Sequence, residues 1–221
     1  MITRVHVLTN SGVWVKHPRL FAIHRIVARG AGGGGSWPAG SGNGHGGGGG
    51  AASYTKRAIG EWELPDSVDY EVGVAGSGGN ESKRSGGNGG DTWFGDFIRA
   101  GGGQGASTTT RGLGGFGMYR GGNGGQSGQP GESASSGPVD FSAGGGGGAG
   151  AGGFLGGASG YVPGGASYPA LWQTSQSGGG GSTGNAGGFP AGGGGGGKDP
   201  NFAGGRGADG LLTIIEYILE E

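Results

Sequence analysis

Segments in which apolar and polar residues alternate lie near the start of the chain. Residues 2–8, with the sequence ITRVHVL, alternate with the two-residue period of a β-strand. Val13 to Val15 is a second short apolar segment, and Leu20 to Arg29 is apolar at both odd and even positions. A segment that is apolar at both parities is typical of a strand covered on both faces, so we predict three strands within residues 2–29.

Further strands are predicted in the middle and at the end of the chain. Residues 68–75 alternate most clearly, because their valines and Tyr70 fall on one face. Residues 92–99 give a weaker strand, and residues 211–219 form a nearly continuous apolar run rich in β-branched residues. No long stretch has a helical period free of glycine, which predicts almost no α-helix. The predicted strand core comprises residues 2–29, 62–75, 92–99 and 211–219.

Glycine dominates the rest of the chain, with 69 glycines among 221 residues. The glycine-rich excursions cover residues 30–53, 76–91 and 101–210. This composition is typical of flexible linkers and disordered segments. Aromatic residues spread through the tracts, together with the return of the chain to a strand at its end, instead favour folded tracts. We therefore predict one all-β domain over residues 1–221, with a small antiparallel core and long glycine-rich excursions.

Charge and composition limit the possible partners. The formal net charge is −1, which gives little electrostatic attraction to nucleic acid. Cysteine is absent, and the four histidines have no metal-ligand spacing. No apolar run has the length of a membrane-spanning helix, and the N-terminus lacks the features of a secretion signal. We expect synthesis in a cytoplasm, with no cofactor, no metal, no nucleic-acid partner and no membrane-spanning segment.

Fragments that imitate catalytic and binding motifs lack residues that those motifs need. GGGGGGKD ends like a phosphate-binding loop, but Asp199 stands where a hydroxyl residue would bind magnesium. Arginine–glycine fragments at Arg120 and Arg206 are too few for a typical RNA-binding segment. Several aspartates could converge as in a glycoside hydrolase, which the sequence leaves open. The expectation is a protein without enzymatic activity.

Four segments, in this order, resemble the glycine-rich domain found in bacteriophage tail proteins. They are SGVWVKHPRLFAIHRIVARGAGGGG, GEWELPDSVDYEVGVAGSGG, GGDTWFGDFIRAGGGQGA and GRGADGLLTIIEY. A looser similarity to adhesins at the tips of phage tail fibres implies that the glycine tracts pack as polyproline-II-like helices, which have three residues per turn. Inside such a bundle nearly every residue must be glycine, and residues 144–148 and 192–197 meet this condition.

The resemblance implies a structural protein of the virion, made in the host cytoplasm and placed at the tail tip. Its partners would be other tail proteins and a host-surface receptor, either a glycan or a protein. Exposed strand edges in a monomer with a small core favour a homotrimer. The alternative is a glycine-rich protein that binds RNA or forms condensates, which would require disordered tracts.

Candidate receptor contacts are aromatic side chains within or beside the glycine tracts. Tyr161, Tyr168 and Trp172 cluster in the segment SGYVPGGASYPALWQTSQS, which we call the aromatic island. These rings could contact a receptor, or they could cap the glycine bundle and shield it. Should the island do neither, Trp37 and His45 in the first tract are the next candidates.

Overall fold

The structure is a computed structural model that describes residues 1–38, 44–134, 143–165, 176–199 and 201–220. It is all-β, as the sequence predicts, and the only helix among these residues is a 3-10 helix, Glu61–Glu63. The strands are β1 (Ile2–Leu8), β2 (Gly12–Val15), β3 (Leu20–Arg29), β4 (Ala52–Tyr54), β5 (Ile59–Gly60), β6 (Ser67–Glu71), β7 (Thr92–Phe94), β8 (Ile98–Ala100) and β9 (Leu211–Ile218).

The strands form two antiparallel sheets. The first sheet has the order β1-β9-β3-β4, and β5 also pairs with β3. The second sheet has the order β2-β6-β7-β8. The strand nearest the C-terminus, β9, lies between β1 and β3, so the last glycine tract must return the chain to the centre of the first sheet.

A hydrophobic core fills the space between the two sheets. Trp14 from the second sheet packs edge-on against Phe94, with ring centroids 5.7 Å apart. The other residues of this core come from both sheets and the adjoining loops: Leu20, Ile23, Ile26, Ala28, Ala51, Ile59, Leu64, Val68, Val72, Ala100, Leu212 and Ile214. The core is small, because glycine occupies so much of the chain.

Strand boundaries differ from the prediction at three places. The segment 92–99 is a hairpin, because Gly95 takes a positive φ of 45° and turns the chain between β7 and β8. The strand predicted over 68–75 ends at Glu71, and Val74 is exposed because the chain enters a glycine tract after Val72. In β3, Phe21, His24 and Arg25 are exposed, so only residues 26–29 of this strand are covered on both faces.

The glycine tracts pack beside each other and are connected through their backbones. Within residues 46–52, every third residue donates its N–H to the same neighbouring segment. Gly46, Gly49 and Ala52 donate to Gly125, Gly122 and Tyr119 of one neighbour. Gly47 and Gly50 donate to Gly194 and Ala191 of a second neighbour. Gly48 and Ala51 donate to Gln104 and Gly101 of a third. A period of three residues is that of a polyproline-II helix, which has no internal hydrogen bonds and bonds sideways instead.

Carbonyl groups of the same tract accept from three other segments. Gly33 donates to Gly48, Gly115 donates to Gly49, and Gly148 donates to Gly47, with N···O distances of 2.8–2.9 Å. The tract therefore has six bonded neighbours around it. Residues 191–197 show the same arrangement, and every residue of that tract is buried.

Close packing explains why these positions are glycine. A Cβ atom built on Gly49 would lie 2.0 Å from the carbonyl oxygen of Gly145, and one on Gly50 would lie 1.9 Å from that of Gly30. Both distances are well inside van der Waals contact, so any side chain would force the neighbouring helices apart. The long glycine runs are thus the interior of a folded bundle.

The bundle has two ends, which we call the sheet end and the tip. Gly30 directly follows β3 and bonds to Ala51, which directly precedes β4, so this pair marks the sheet end. Six residues further along, Ser36 bonds to His45. At a rise of about 3.1 Å per residue, Ser36 is about 19 Å from the sheet end, and the tip begins there.

Candidate functional site

Loops that connect neighbouring helices cover the tip. One contains residues 80–84, a second contains residues 107–111, and a third contains residues 198–199 and 201–203. Each loop is fixed by a side chain that bonds to its own backbone. Asn80 Oδ1 accepts from the N–H of Lys83 at 2.8 Å, Ser107 Oγ from Thr110 at 2.9 Å, and Asp199 Oδ1 from Asn201 at 2.9 Å. Such turns hold the loops in shape before any ligand arrives.

Trp37 lies at the tip and is half-buried. Its backbone N–H donates to the backbone carbonyl of Arg84 at 2.7 Å. The Arg84 guanidinium lies 5.6 Å from the centroid of the indole ring. A cation over an indole face is attracted by the ring quadrupole, so the contact holds both side chains. Trp37 is among the candidates that the sequence offers, whereas Arg84 is not, although Arg84 lies in the charged segment NESKRS between glycine tracts.

His45 also lies at the tip, where it joins two loops. Its Nδ1 accepts from the N–H of Ser127 at 3.2 Å, and the ring also bonds to the backbone of Thr108. Burial lowers the pKa of His45, and the Thr108 bond opposes that shift only in part. The neutral ring therefore serves to hold loops 107–111 and 126–129 together, whether or not it also meets a ligand.

The structure places Tyr161 far from this pair. Tyr161 is 66 % exposed in a turn whose Ser159 hydroxyl donates to the carbonyl of Gly144 at 2.7 Å. Gly145, the next residue, bonds to Gly50 near the sheet end. Tyr168 and Trp172 lie outside the described residues. The five candidates therefore include a pair at the tip, Trp37 and His45, and one residue, Tyr161, near the opposite end.

A cavity of about 970 Å³ opens on the second sheet. It is lined by Pro65, Ser67, Val68, Asp69, Trp93, Gly95, Asp96, Phe97, Ile98 and Arg99. Trp93 donates its ring N–H to Glu71, and Arg99 forms an ion pair with Asp91. Asp69 and Asp96 are exposed carboxylates on this surface. Among the residues that the structure describes, no group of three or more histidine, aspartate or glutamate side chains could hold a metal ion.

Comparison with known families places the chain. The profile of the glycine-rich domain family matches residues 9–217, which is most of the sequence. The chain belongs to this family of glycine-rich domains. A search of curated proteins found no match.

This glycine-rich domain also contains a carboxylate buried between its sheets. Glu216 of β9 is 1 % exposed, and its Oε1 accepts from the ring N–H of Trp14 on β2. Its Oε2 lies 3.0 Å from Nε2 of His6 on β1. Buried carboxylates require partners, and the Trp14 bond supplies one to Oε1, so it fixes β9 relative to β2. Oε2 and Nε2 of His6 lie close together but do not form a hydrogen bond with each other.

Charge is distributed differently on the tip and the flanks of the glycine-rich domain. On the flanks, Arg120 forms an ion pair with Glu132, and Arg206 forms one with Asp209. At the tip the cations are Lys83, Arg84, Arg111 and Lys198, and none of them forms an ion pair with a described residue. The tip carboxylates are Glu81 and Asp199, so the tip carries a net positive charge.

Within the described ranges, no helix has the length and apolar character needed to span a bilayer.

Proposed function

We propose that this chain is a non-enzymatic structural protein of a bacteriophage tail tip that contributes to attachment to the host cell. The observation that carries the proposal is the division of the molecule into a sheet end and a bundle that projects a tip of ordered loops. A backbone-bonded bundle can hold loops of varied sequence, because its internal hydrogen bonds are made by backbone groups and not by loop side chains. The resemblance of four segments to phage tail proteins supplies the biological setting.

In this proposal the sheet end attaches to the rest of the tail. Strand β1 is an edge strand, and Ile2, Val5 and Val7 on it are about half exposed. An unpaired edge with apolar side chains favours pairing with another chain. We therefore propose a homotrimer, joined to neighbouring tail proteins through this end, with the tip facing the host receptor.

The alternative of an RNA-binding or condensate-forming protein has less support. That function relies on arginine–glycine segments that are disordered and free to bind. Here Arg120 and Arg206 are paired with carboxylates on the flank of an ordered bundle. The contacts therefore favour a scaffold over an RNA-binding segment.

Purified phage particles test the proposal. Mass spectrometry is expected to detect this chain in the virion, and gold-labelled antibody is expected to mark the end of the tail. An antibody against the major capsid protein serves as the labelling control. Particles that lack the chain and still adsorb normally would overturn the attachment role.

Two sets of substitutions separate the candidate contact surfaces. The double variant Trp37→Ala/Arg84→Ala alters the tip, and the triple variant Tyr161→Ala/Tyr168→Ala/Trp172→Ala alters the aromatic island. If the tip is the receptor surface, the double variant reduces adsorption while assembly remains normal. Loss of adsorption only in the triple variant would move the contact to the island, and failed assembly of that variant would indicate a capping role.

A further inference from the structure

The tip of the bundle combines cations that have no ion-pair partner among the described residues with a fixed arginine–tryptophan pair, and this combination indicates a particular chemical class of ligand. The chain segments that carry Trp37, Arg84 and Lys198 leave the bundle at the same level. Trp37 bonds to Arg84 through the backbone, and Gly197, the residue before Lys198, donates to Ser36 at 2.9 Å. The backbone positions that carry these side chains therefore lie at the same end of the bundle, although they are far apart in sequence.

The cations at the tip are available for a ligand. Lys83, Arg84 and Lys198 are exposed, and they form no ion pair with the described residues. Arg84 is held over Trp37, so part of the entropy cost of fixing a long side chain is already met. Its planar guanidinium can still donate two parallel hydrogen bonds to a carboxylate.

The shape of the tip favours a polymer over a small enclosed molecule. Lys83, Arg84 and Lys198 are exposed on loops at the outer surface of the tip. A ligand must therefore contact the loop surface from outside. A chain that repeats the same group can contact several loops at once and gain avidity from them.

We propose that the tip binds an acidic saccharide chain. Lys83, Arg84, Lys198 and Trp37 at the tip would contact the carboxylate groups of the saccharide. This inference rests on the proposed attachment function, since it names the class of receptor that the tip would recognise. RNA is a less suitable polyanion. Binding of single strands relies on several aromatic faces for successive bases. The described tip loops carry one exposed ring, Phe202, while Trp37 is half-buried and already carries Arg84.

Binding of the full chain to defined polymers tests the inference. The probes are polygalacturonate, neutral dextran of similar length, and poly(U) RNA, each measured at low and at physiological salt. Polygalacturonate is expected to bind most tightly and to weaken as salt rises, because the contacts are charge-assisted and screened by ions. Equal binding to dextran, tighter binding to RNA, or no binding to polygalacturonate at low salt would each overturn the inference.

A pair of matched variants assigns the binding to the tip. Lys83→Gln/Arg84→Gln removes two cations at the tip, and Arg25→Gln/Lys56→Gln removes one arginine and one lysine from exposed positions at the sheet end. Arg25 lies over the Tyr54 ring, as Arg84 lies over Trp37, so the two variants are matched. The tip variant is expected to lose about tenfold in affinity, a loss typical of removing a charge-assisted hydrogen bond, while the control changes by less than about twofold. Equal losses of affinity in both variants would mean that only the overall charge of the protein matters, and would overturn the assignment of binding to the tip.

A second tip variant distinguishes a loss of binding from a loss of folding. Lys83→Gln/Lys198→Gln leaves the contact between Arg84 and Trp37 intact and is expected to keep the wild-type melting temperature while losing affinity. Wild-type affinity in this variant would overturn the role of the lysines. Detection of the chain in virions is a separate measurement, so a phage tail protein that fails to bind polygalacturonate would remove only this inference.

Discussion

At the scale of single residues, the bundle replaces side-chain packing with backbone contact. Glycines such as Gly49 have no space for a methyl group, whereas Ala149 in a neighbouring tract is fully buried with its methyl group accommodated. The difference comes from the direction in which each Cβ would point, toward a neighbouring carbonyl or between two helices. Each position in a tract therefore has its own tolerance, even where the local sequence is uniform.

Gly49→Ala tests this packing directly. The added methyl group meets the carbonyl oxygen of Gly145, so we expect the free energy of unfolding to fall by at least about 3 kcal/mol, the upper range for overpacking a core. The control Ala149→Gly removes one buried methyl group and is expected to cost about 1 to 2 kcal/mol. Urea unfolding of the three proteins makes the comparison, and equal stability of Gly49→Ala and wild type would contradict the packing described here.

His45 predicts a pH dependence of stability. Burial lowers the pKa of His45 in the folded protein. As the pH falls below the ordinary value of about 6.5, His45 therefore becomes protonated in the unfolded chain before it does in the folded protein. The contribution of His45 is therefore complete above that value and is lost as the pH falls through the folded pKa. The difference in melting temperature between wild type and His45→Gln should shrink from pH 7 toward pH 5, whereas a constant difference would contradict this role.

At the scale of elements, a single buried carboxylate connects strands that are distant in sequence. Trp14 on β2 and His6 on β1 both approach Glu216 on β9, and the two sheets are thereby held in one relative position. Only β1 and β9 are directly paired among these three strands. The carboxylate therefore supplies a connection that the sheet ladders lack.

Trp14→Phe separates this connection from ordinary packing. The substitution keeps an aromatic ring but removes the donor to a carboxylate that is 1 % exposed, so we expect a loss of about 2 kcal/mol. Trp93→Phe is the matched control, because it also removes a hydrogen bond to a glutamate, Glu71, but at an exposed site where such bonds contribute less than about 1 kcal/mol. Thermal unfolding with equal losses for the two variants would contradict the connection.

The sequence predicts the long elements well and the short ones poorly. Strands β3 and β9 follow from their apolar runs, because burial determines that pattern. Strand β1 follows from its alternation alone, since most of its residues are exposed. The turn at Gly95 is hidden, since a glycine inside an aromatic segment does not reveal a positive φ. The short strands β4 and β5 fall beside a glycine tract and have too few residues to show a period.

The candidate site was only partly predictable for a related reason. Trp37 and Arg84 meet because two glycine tracts pair in a particular register. Within a run of identical residues, a shift of the register by three leaves the sequence pattern unchanged. Sequence alone could therefore identify the side chains at the tip as candidates, but it could not bring them together.

At the scale of the whole molecule, the two ends differ in chemistry. The tip has excess positive charge, whereas the chain as a whole has a formal net charge of −1, so the remainder carries the excess of negative charge. The sheet end has the exposed apolar edge strand β1. An asymmetric molecule of this kind suits a fixed orientation in an assembly.

The proposed assembly through β1 predicts the effect of charge on that strand. Val5→Lys/Val7→Lys places two cations on the exposed edge strand and is expected to convert a homotrimer into single chains, because buried lysines would have no partner across the interface. Val74→Lys, at an exposed position of a glycine tract, is the control and should leave the assembly intact. Sedimentation measures the mass of each protein, and a wild-type mass equal to one chain would contradict assembly through this edge.

Six bonded neighbours around one tract have a mechanical consequence. A β-sheet resists shear within its plane, where its hydrogen bonds lie, and bends easily across that plane. Tract 46–52 is instead connected in every lateral direction, so a sideways load on the tip is divided among six helices whichever way it acts. Pulling at the tip should therefore yield a breaking force that does not depend on the azimuth of the pull, as expected of a bundle of cross-linked rods.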